Sequence, residues 1–354
     1  MGLRSVWVGA IQDRQGFMLV SCIDTSGGNF CFADFHFGNV GELLRCENHK
    51  NAKNTGMKKL ATTLVLAFIA TLAAGSELER DAASLAILKE FPVNKPALSF
   101  PVEASELGMF SNYNNGIFKP QGSGPFPAVV LSHSCGGVRV SETKPWVEAG
   151  LKLGYVVLVI DSMRGNKNNC FPPTPINNST RISDMLDALE HLSKMPIVQP
   201  TKIGAIGFSQ GSMINAMLAS KSTVEAVKPN AKRFAATVGL YGVCQWPKGT
   251  YKSRPDLSLS YVMQDTDKPL LYLMAKDDQE TPASTCESEL PALKAKGAPV
   301  EWHLYEGATH CWDCNSLNGF TKTDFKGERI IYRFDQAVTD DSIQRAYRFL
   351  GQRM

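Results

Sequence analysis

The chain has 354 residues, 44% of them hydrophobic and 20% charged, which is the composition of an ordinary globular protein rather than a disordered or fibrous one. It holds 37 Lys and Arg against 34 Asp and Glu, and a net charge of +3 is too small for a nucleic-acid surface or a polybasic membrane patch.

Residues 1–56 contain Gly-rich and polar stretches such as Thr25-Ser26-Gly27-Gly28-Asn29, with little sustained periodicity and no pattern that suggests chemistry. Met57-Lys58-Lys59 then opens a run from Leu60 to Ala74 without a charge. A basic start, about 15 apolar residues and small residues at the end describe a secretory signal peptide. The run is short for a membrane span, which needs roughly 20 residues. Cleavage near Ala73-Ala74-Gly75 leaves a mature chain starting near Ser76, and with Ser rather than Cys there no lipid anchor is expected. The expectation is an exported protein, periplasmic or secreted, with 57–75 as signal peptide, no stable membrane anchor after cleavage, and 1–56 as an over-extended gene model. The alternative is a true cytosolic extension followed by a membrane anchor or a buried helix.

From Ser76 onward one domain of 76–354 is expected. Leu98 to Val102 and Gly116 to Lys119 suggest antiparallel edge strands, and the turn from Gln121 to Pro125 feeds the first central strand at Ala128 to Leu131. Lys144 to Leu153 reads as a helix, with Pro145 in its first turn. Tyr155 to Ile160 is a continuous apolar run, as a strand buried on both faces should be. Ser179 to Ser193 carries a helical stripe of Ile182, Met185, Leu186, Leu189 and Leu192. Lys202 to Gly207 is a strand and Gln210 to Ser220 a helix. Ala235 to Leu240, Pro269 to Met274 and Val300 to Tyr305 are further strands, with helices over Glu287 to Lys296 and Asp340 to Arg353. This alternation predicts an α/β fold, a mostly parallel central sheet with helices on both faces.

The sharpest motif is Gly207-Phe208-Ser209-Gln210-Gly211, between an expected strand and an expected helix. That is the nucleophile elbow of the α/β-hydrolase fold, in which the chain turns so tightly that side chains on the two glycines would collide. A Ser hydroxyl needs a base oriented by an acid, and in this fold they follow in the order Ser, acid, His. His133 and His191 precede Ser209 and His303 lies inside an expected strand, so His310, on a loop after the last strand, is the base. The acid belongs after the preceding strand, where Asp277, Asp278 and Glu280 all stand. The oxyanion hole needs two backbone N–H groups. Gln210 supplies one, and the loop Ser132-His133-Ser134-Cys135-Gly136-Gly137 the other, from Cys135 or its neighbour Gly136. His133 is a candidate for supporting hydrogen bonds near the substrate. Arg164 is a candidate for a substrate carboxylate, with a loop-holding salt bridge as the alternative.

Six of the nine cysteines lie beyond the leader, and an even number in an exported chain suggests disulfides. Cys135 and Cys170 follow neighbouring parallel strands and are expected to pair across one sheet edge. No metal site is expected, because Cys311 and Cys314 are one close pair without a second of matching spacing.

With these residues assembled, the chain resembles the dienelactone hydrolase family from about Ala128 onward. The likeness runs through Leu131-Ser132-His133-Ser134-Cys135-Gly136-Gly137, Asp161-Ser162-Met163-Arg164-Gly165, the elbow, Lys276-Asp277-Asp278 and Gly307-Ala308-Thr309-His310. The family pattern puts the acid four residues before a Pro, which selects Asp278 ahead of Pro282. The resemblance implies hydrolysis of small-molecule esters or lactones through an acyl-enzyme, without metal or organic cofactor, and it favours a Cys244–Cys286 disulfide. Cys311 and Cys314 would then pair or stay reduced. Archetypal members use Cys as nucleophile, so Ser209 shifts the expectation toward a general carboxylesterase. Two alternatives remain: another activity of this fold (peptidase, acyltransferase or lipase) and a non-catalytic binding protein that keeps the elbow.

Overall fold

The computed structural model describes residues 6–12, 18–24, 30–35, 77–109, 115–166, 170, 175–246, 248, 256–323 and 327–354. The chain divides into two units, Met1–Thr71 and Leu72–Met354. In the first, β1 (Val6–Gln12), β2 (Met18–Asp24) and β3 (Phe30–Phe35) form an antiparallel meander. The sequence reading found no strands there. The expected signal segment 57–75 lies outside the described residues. Among the described residues no helix is long and apolar enough to cross a membrane.

The second unit begins with α1 (77–90). It continues through β4 (Gly116–Phe118), β5 (Phe126–Ser132), α2 (Val140–Lys152), β6 (Val156–Ile160), α3 (Asn178–Lys194) and β7 (Val198–Phe208). Then come α4 (Gln210–Leu218), α5 (Lys221–Val227), β8 (Thr237–Leu240), β9 (Gln245–Trp246), β10 (Leu259–Ser260) and β11 (Leu270–Ala275). The last elements are α6 (Ser284–Glu287), α7 (Glu289–Ala295), β12 (Val300–Tyr305), β13 (Thr321–Thr323), β14 (Arg329–Ile331) and α8 (Gln336–Arg353).

Seven strands form the central sheet in the order β12-β11-β8-β7-β5-β6-β4. All neighbours pair parallel except β4, which runs antiparallel to β6 at the edge. The central strands are apolar throughout because alternate residues enter two different cores. Val130, Leu158 and Ala205 pack with Ile182, Met185 and Leu189 of α3 and Ile214 of α4. Val129, Val157 and Ile206 face the other way, onto Trp146 and Val147 of α2 and Tyr347 and Leu350 of α8. The parallel register brings the ends of β5, β7 and β8 to one edge, with Ser132 opposite Gly207 and Phe208 opposite Leu240.

Several expectations change. Leu98 to Val102 is not a strand: Leu98 and Phe100 pack on the core, His191 meets the Pro101 carbonyl at 2.8 Å and Asn115 meets that of Ser99 at 2.8 Å. Side chains there do the work that a ladder would. Helix α2 starts at Val140, which places Pro145 in the second turn, where it forfeits one backbone hydrogen bond. The helix expected over Glu287 to Lys296 is two short ones, and α8 starts at Gln336 because Asp335 caps it by accepting from the Val338 amide. Helix α1 carries no continuous apolar stripe in the sequence, because its buried positions include Asp81 and Ser84 beside Leu88.

Candidate active site

The elbow is built by close approach of backbone. A Cβ on Gly207 would stand 2.2 Å from the Gly211 carbonyl oxygen, so no larger residue fits there. Ser209 sits at φ 51°, ψ −113°, a left-handed conformation that is uncommon for a non-glycine residue and stores strain at the turn. Its N–H donates to the Leu240 carbonyl at 2.9 Å, which fixes the turn to β8.

The three residues expected to work together meet at this point. His310 Nε2 lies 3.0 Å from Ser209 Oγ, and His310 Nδ1 lies 2.8 Å from Asp278 Oδ2. All three are buried. Asp278 Oδ1 accepts from the amides of Glu280 and Thr281 at 2.9 and 2.8 Å. Thr281 Oγ1 lies 2.7 Å from Asp278 Oδ2 and 2.8 Å from the Tyr241 carbonyl oxygen, so the carboxylate is held at both oxygens. Tyr241 sets its ring edge-on to His310 at 5.0 Å. Burial opposes a charge on His310, but the carboxylates of Asp278 and Glu280 outweigh it and raise the imidazole above its ordinary range. The rival Asp277 is half-exposed and pairs with Arg333 at 3.0 Å, away from the ring.

The loop after β5 forms a turn closed by the Gly137 amide on the Ser134 carbonyl at 3.2 Å, with Cys135 and Gly136 at its centre. Cys135 and Ser209 line the same cavity, of about 400 Å³, together with Phe208, Phe320, Lys322 and Tyr332. Cys135 is joined to Cys170 with Cα atoms 4.8 Å apart, and Cys244 to Cys286 at 4.9 Å. Cys311 is joined to Cys314 directly after His310.

Of the two tentative substrate contacts, Arg164 is redirected, while His133 lines the cavity. Arg164 turns away from the cavity and forms a two-pronged ion pair with Asp184 at 2.5 and 2.9 Å, so its role is to hold the loop. His133 uses both ring nitrogens internally: Nδ1 meets the Ser134 carbonyl at 2.6 Å and Nε2 accepts from the Ser162 amide at 3.0 Å. Burial first, and then the Arg181 charge, push its pKa down to about 3, so it braces the cavity wall as a neutral ring.

Arg181 is the residue the sequence reading missed. It is fully buried in the first turn of α3 and donates to the His133 carbonyl at 2.5 Å, Ser132 Oγ at 3.3 Å and Gln210 Oε1 at 2.7 Å. One guanidinium thus ties the loop carrying Cys135 to the residue after the nucleophile. The available signal was an Arg four residues before Met185 on an otherwise apolar helix face, where a charge needs partners.

A strained serine between a central strand and a helix, at the carboxyl edge of a parallel sheet, with a histidine and an aspartate from later loops in hydrogen-bond reach, belongs to an α/β-hydrolase, here an enzyme acting on ester bonds. The model of the Dienelactone hydrolase family matches residues 115–354, and the chain belongs to that family. A putative carboxymethylenebutenolidase from Synechocystis sp. is 24% identical over 214 residues, which make up 56% of this chain and 80% of that protein. The apo form of Thermogutta terrifontis esterase 2 superposes with a TM-score of 0.50 at 18% identity, over 67% of this chain and 88% of that one. Its butyrate-bound form gives 0.51 over the same shares, and both show a common fold.

Proposed function

We propose that this protein hydrolyses carboxylic esters or lactones of small molecules through an acyl-enzyme on Ser209. The observation that carries this reading is the unbroken relay from Ser209 Oγ to His310 Nε2 at 3.0 Å and from His310 Nδ1 to Asp278 Oδ2 at 2.8 Å. Ser209 attacks the ester carbonyl while His310 takes its proton. Asp278 keeps the Nδ1–H tautomer and stabilises the imidazolium. The amides of Gln210 and Cys135 receive the oxyanion, and the alcohol leaves with the proton from His310. Water then attacks the acyl carbon, giving its proton to His310, and Ser209 is released.

A Ser in place of the archetypal Cys favours a general carboxylesterase over a dienelactone-specific enzyme. The names of the relatives, a putative carboxymethylenebutenolidase and an esterase bound to butyrate, support esters of this size. A panel of p-nitrophenyl esters, lactones and amides on the mature protein tests the reading. Ser209→Ala is expected to lose on the order of 10⁶-fold in kcat with unchanged circular dichroism, and to lose fluorophosphonate labelling. Activity within about tenfold of wild type would end the assignment.

The same reading includes export. The pattern from Met57 to Gly75 and the three cysteine pairs support it, since disulfides persist in oxidising compartments. N-terminal sequencing of native protein is expected to start near Ser76. Peptides from 1–56 in the exported material would contradict it.

A further inference from the structure

Glu280 does not orient His310 from the Asp278 side. It faces the other ring nitrogen. Glu280 Oε2 stands 3.8 Å from His310 Nε2, beyond a direct hydrogen bond, while Ser209 Oγ lies 3.0 Å from the same nitrogen. The carboxylate lines the cavity and is held there by the hairpin of β13 and β14. Lys322 donates to Oε1 at 2.7 Å, and the Tyr332 hydroxyl donates to Oε2. Burial disfavours its charge, but His310, Lys322 and Tyr332 outweigh burial and hold the carboxyl below its ordinary range.

Deacylation has a need that the triad does not meet. Once Ser209 Oγ is esterified, a water must face the acyl carbon with one O–H aimed at His310 Nε2. Its second O–H needs an acceptor, or the water tumbles and attack is slowed. Two acceptors separated by 3.8 Å can share one water at ordinary hydrogen-bond lengths of about 2.8–2.9 Å. A carboxylate oxygen that already accepts from Tyr332 has a second lone pair for it.

We propose that Glu280 seats the hydrolytic water of deacylation, with Oε2 accepting one of its O–H bonds while His310 Nε2 accepts the other. This rests on the acyl-enzyme reading above. In the step itself the water oxygen bonds to the acyl carbon as its proton moves to Nε2. The tetrahedral oxyanion then collapses, the bond from carbon to Ser209 Oγ breaks, and Oγ takes the proton back from His310. Glu280 neither gains nor loses a proton.

The test separates the two half-reactions with p-nitrophenyl acetate. Acylation is read from pre-steady-state release of p-nitrophenol. Deacylation is read from decay of the acetylated mass after rapid removal of the ester. Glu280→Ala is expected to slow deacylation on the order of 10²-fold while acylation stays within about threefold, and Glu280→Gln, which keeps an acceptor oxygen, to lose less. Equal losses in both steps would mean that Glu280 only stabilises the imidazolium, which is charged in both, and would overturn the proposal. Unchanged deacylation would also overturn it. If Glu280→Ala does not fold, Lys322→Met loosens the same carboxylate and should slow the same step by a smaller factor. Failure of the parent reading looks different: wild-type protein would acquire no acyl mass at all.

Discussion

Gly211 and Ser132 meet backbone to backbone: a Cβ on Gly211 would stand 2.1 Å from the Ser132 carbonyl oxygen and 2.7 Å from that of His133. The first turn of the nucleophile helix therefore rests directly on the end of β5. The contacted atoms are main chain and cannot swing aside, so Gly211→Ala must shift either Ser209 or the loop carrying Cys135. The expected cost is about 1–3 kcal/mol of stability. Activity should fall on the order of 10²-fold, as for a misplacement of about 1 Å. Thermal melting and the rate of fluorophosphonate labelling check this, and an alanine variant that melts and labels like wild type would contradict it.

Asp278→Asn is expected to cost on the order of 10⁴-fold in kcat, because the amide removes the acceptor that sets the His310 tautomer. Asp277→Asn should stay within a few-fold, since its exposed pair with Arg333 is worth at most about 1 kcal/mol. Steady-state kinetics on the two variants decide between adjacent residues, and greater damage at Asp277 would move the acid by one position.

The acid limb of kcat/KM should lie above the ordinary imidazole value of 6.5. Protonated His310 cannot accept the Ser209 proton. A raised pKa means that the ring stays protonated to higher pH, so activity is lost as pH falls through a value above 6.5. His133 adds nothing to this limb, because it stays neutral down to about pH 3. A midpoint at or below 6.5 would be incompatible with two carboxylates acting on the ring.

Arg181→Lys keeps a charge but loses the planar fork that reaches three acceptors at once. The Ser132 hydroxyl and the His133 carbonyl are buried, and leaving each without this donor costs about 1–3 kcal/mol. The expected signature is a fall in kcat with little change in KM, because the two segments that bear the proposed oxyanion donors, Cys135 and Gln210, lose their common tie. A change confined to KM would assign Arg181 to substrate binding instead.

Cys170→Ser removes a crosslink that closes a 35-residue span and is worth about 3–4 kcal/mol in the chain-entropy model. The melting temperature should drop. If the Cys135 amide receives the oxyanion as proposed, from a Gly-rich turn, kcat should fall more than KM rises. Peptide mapping of native protein without reduction provides the control, and alkylating label on both Cys135 and Cys170 would show that the pair is open.

Sequence alone determined what depends on spacing along the chain. Strand runs such as Val156–Ile160 and helical stripes such as Ile182, Met185 and Leu189 declare themselves because periodicity follows from local geometry. The elbow is legible in part for the same reason, as Gly207 answers a clash with Gly211 inside the five-residue motif, whereas the clash at Gly211 is with the distant Ser132 and His133. The order Ser209, Asp278, His310 then narrows the base and the acid. What only tertiary structure decided are the meetings between distant segments. Ser209 and His310 lie 101 positions apart, and nothing local sets the 3.0 Å between them. Asp278 differs from Asp277 in which way a turn points each side chain, so one is buried on His310 and the other faces Arg333. Arg164 and Arg181 are equivalent charges in sequence, yet packing gives one to Asp184 and the other to the loop after β5. Glu280 reaches the second nitrogen of His310 because a hairpin some 40 residues later supplies Lys322 and Tyr332, at separations of 42 and 52. Periodicity records which face of an element is buried, while the partner it is buried against is chosen by the packing of the whole fold.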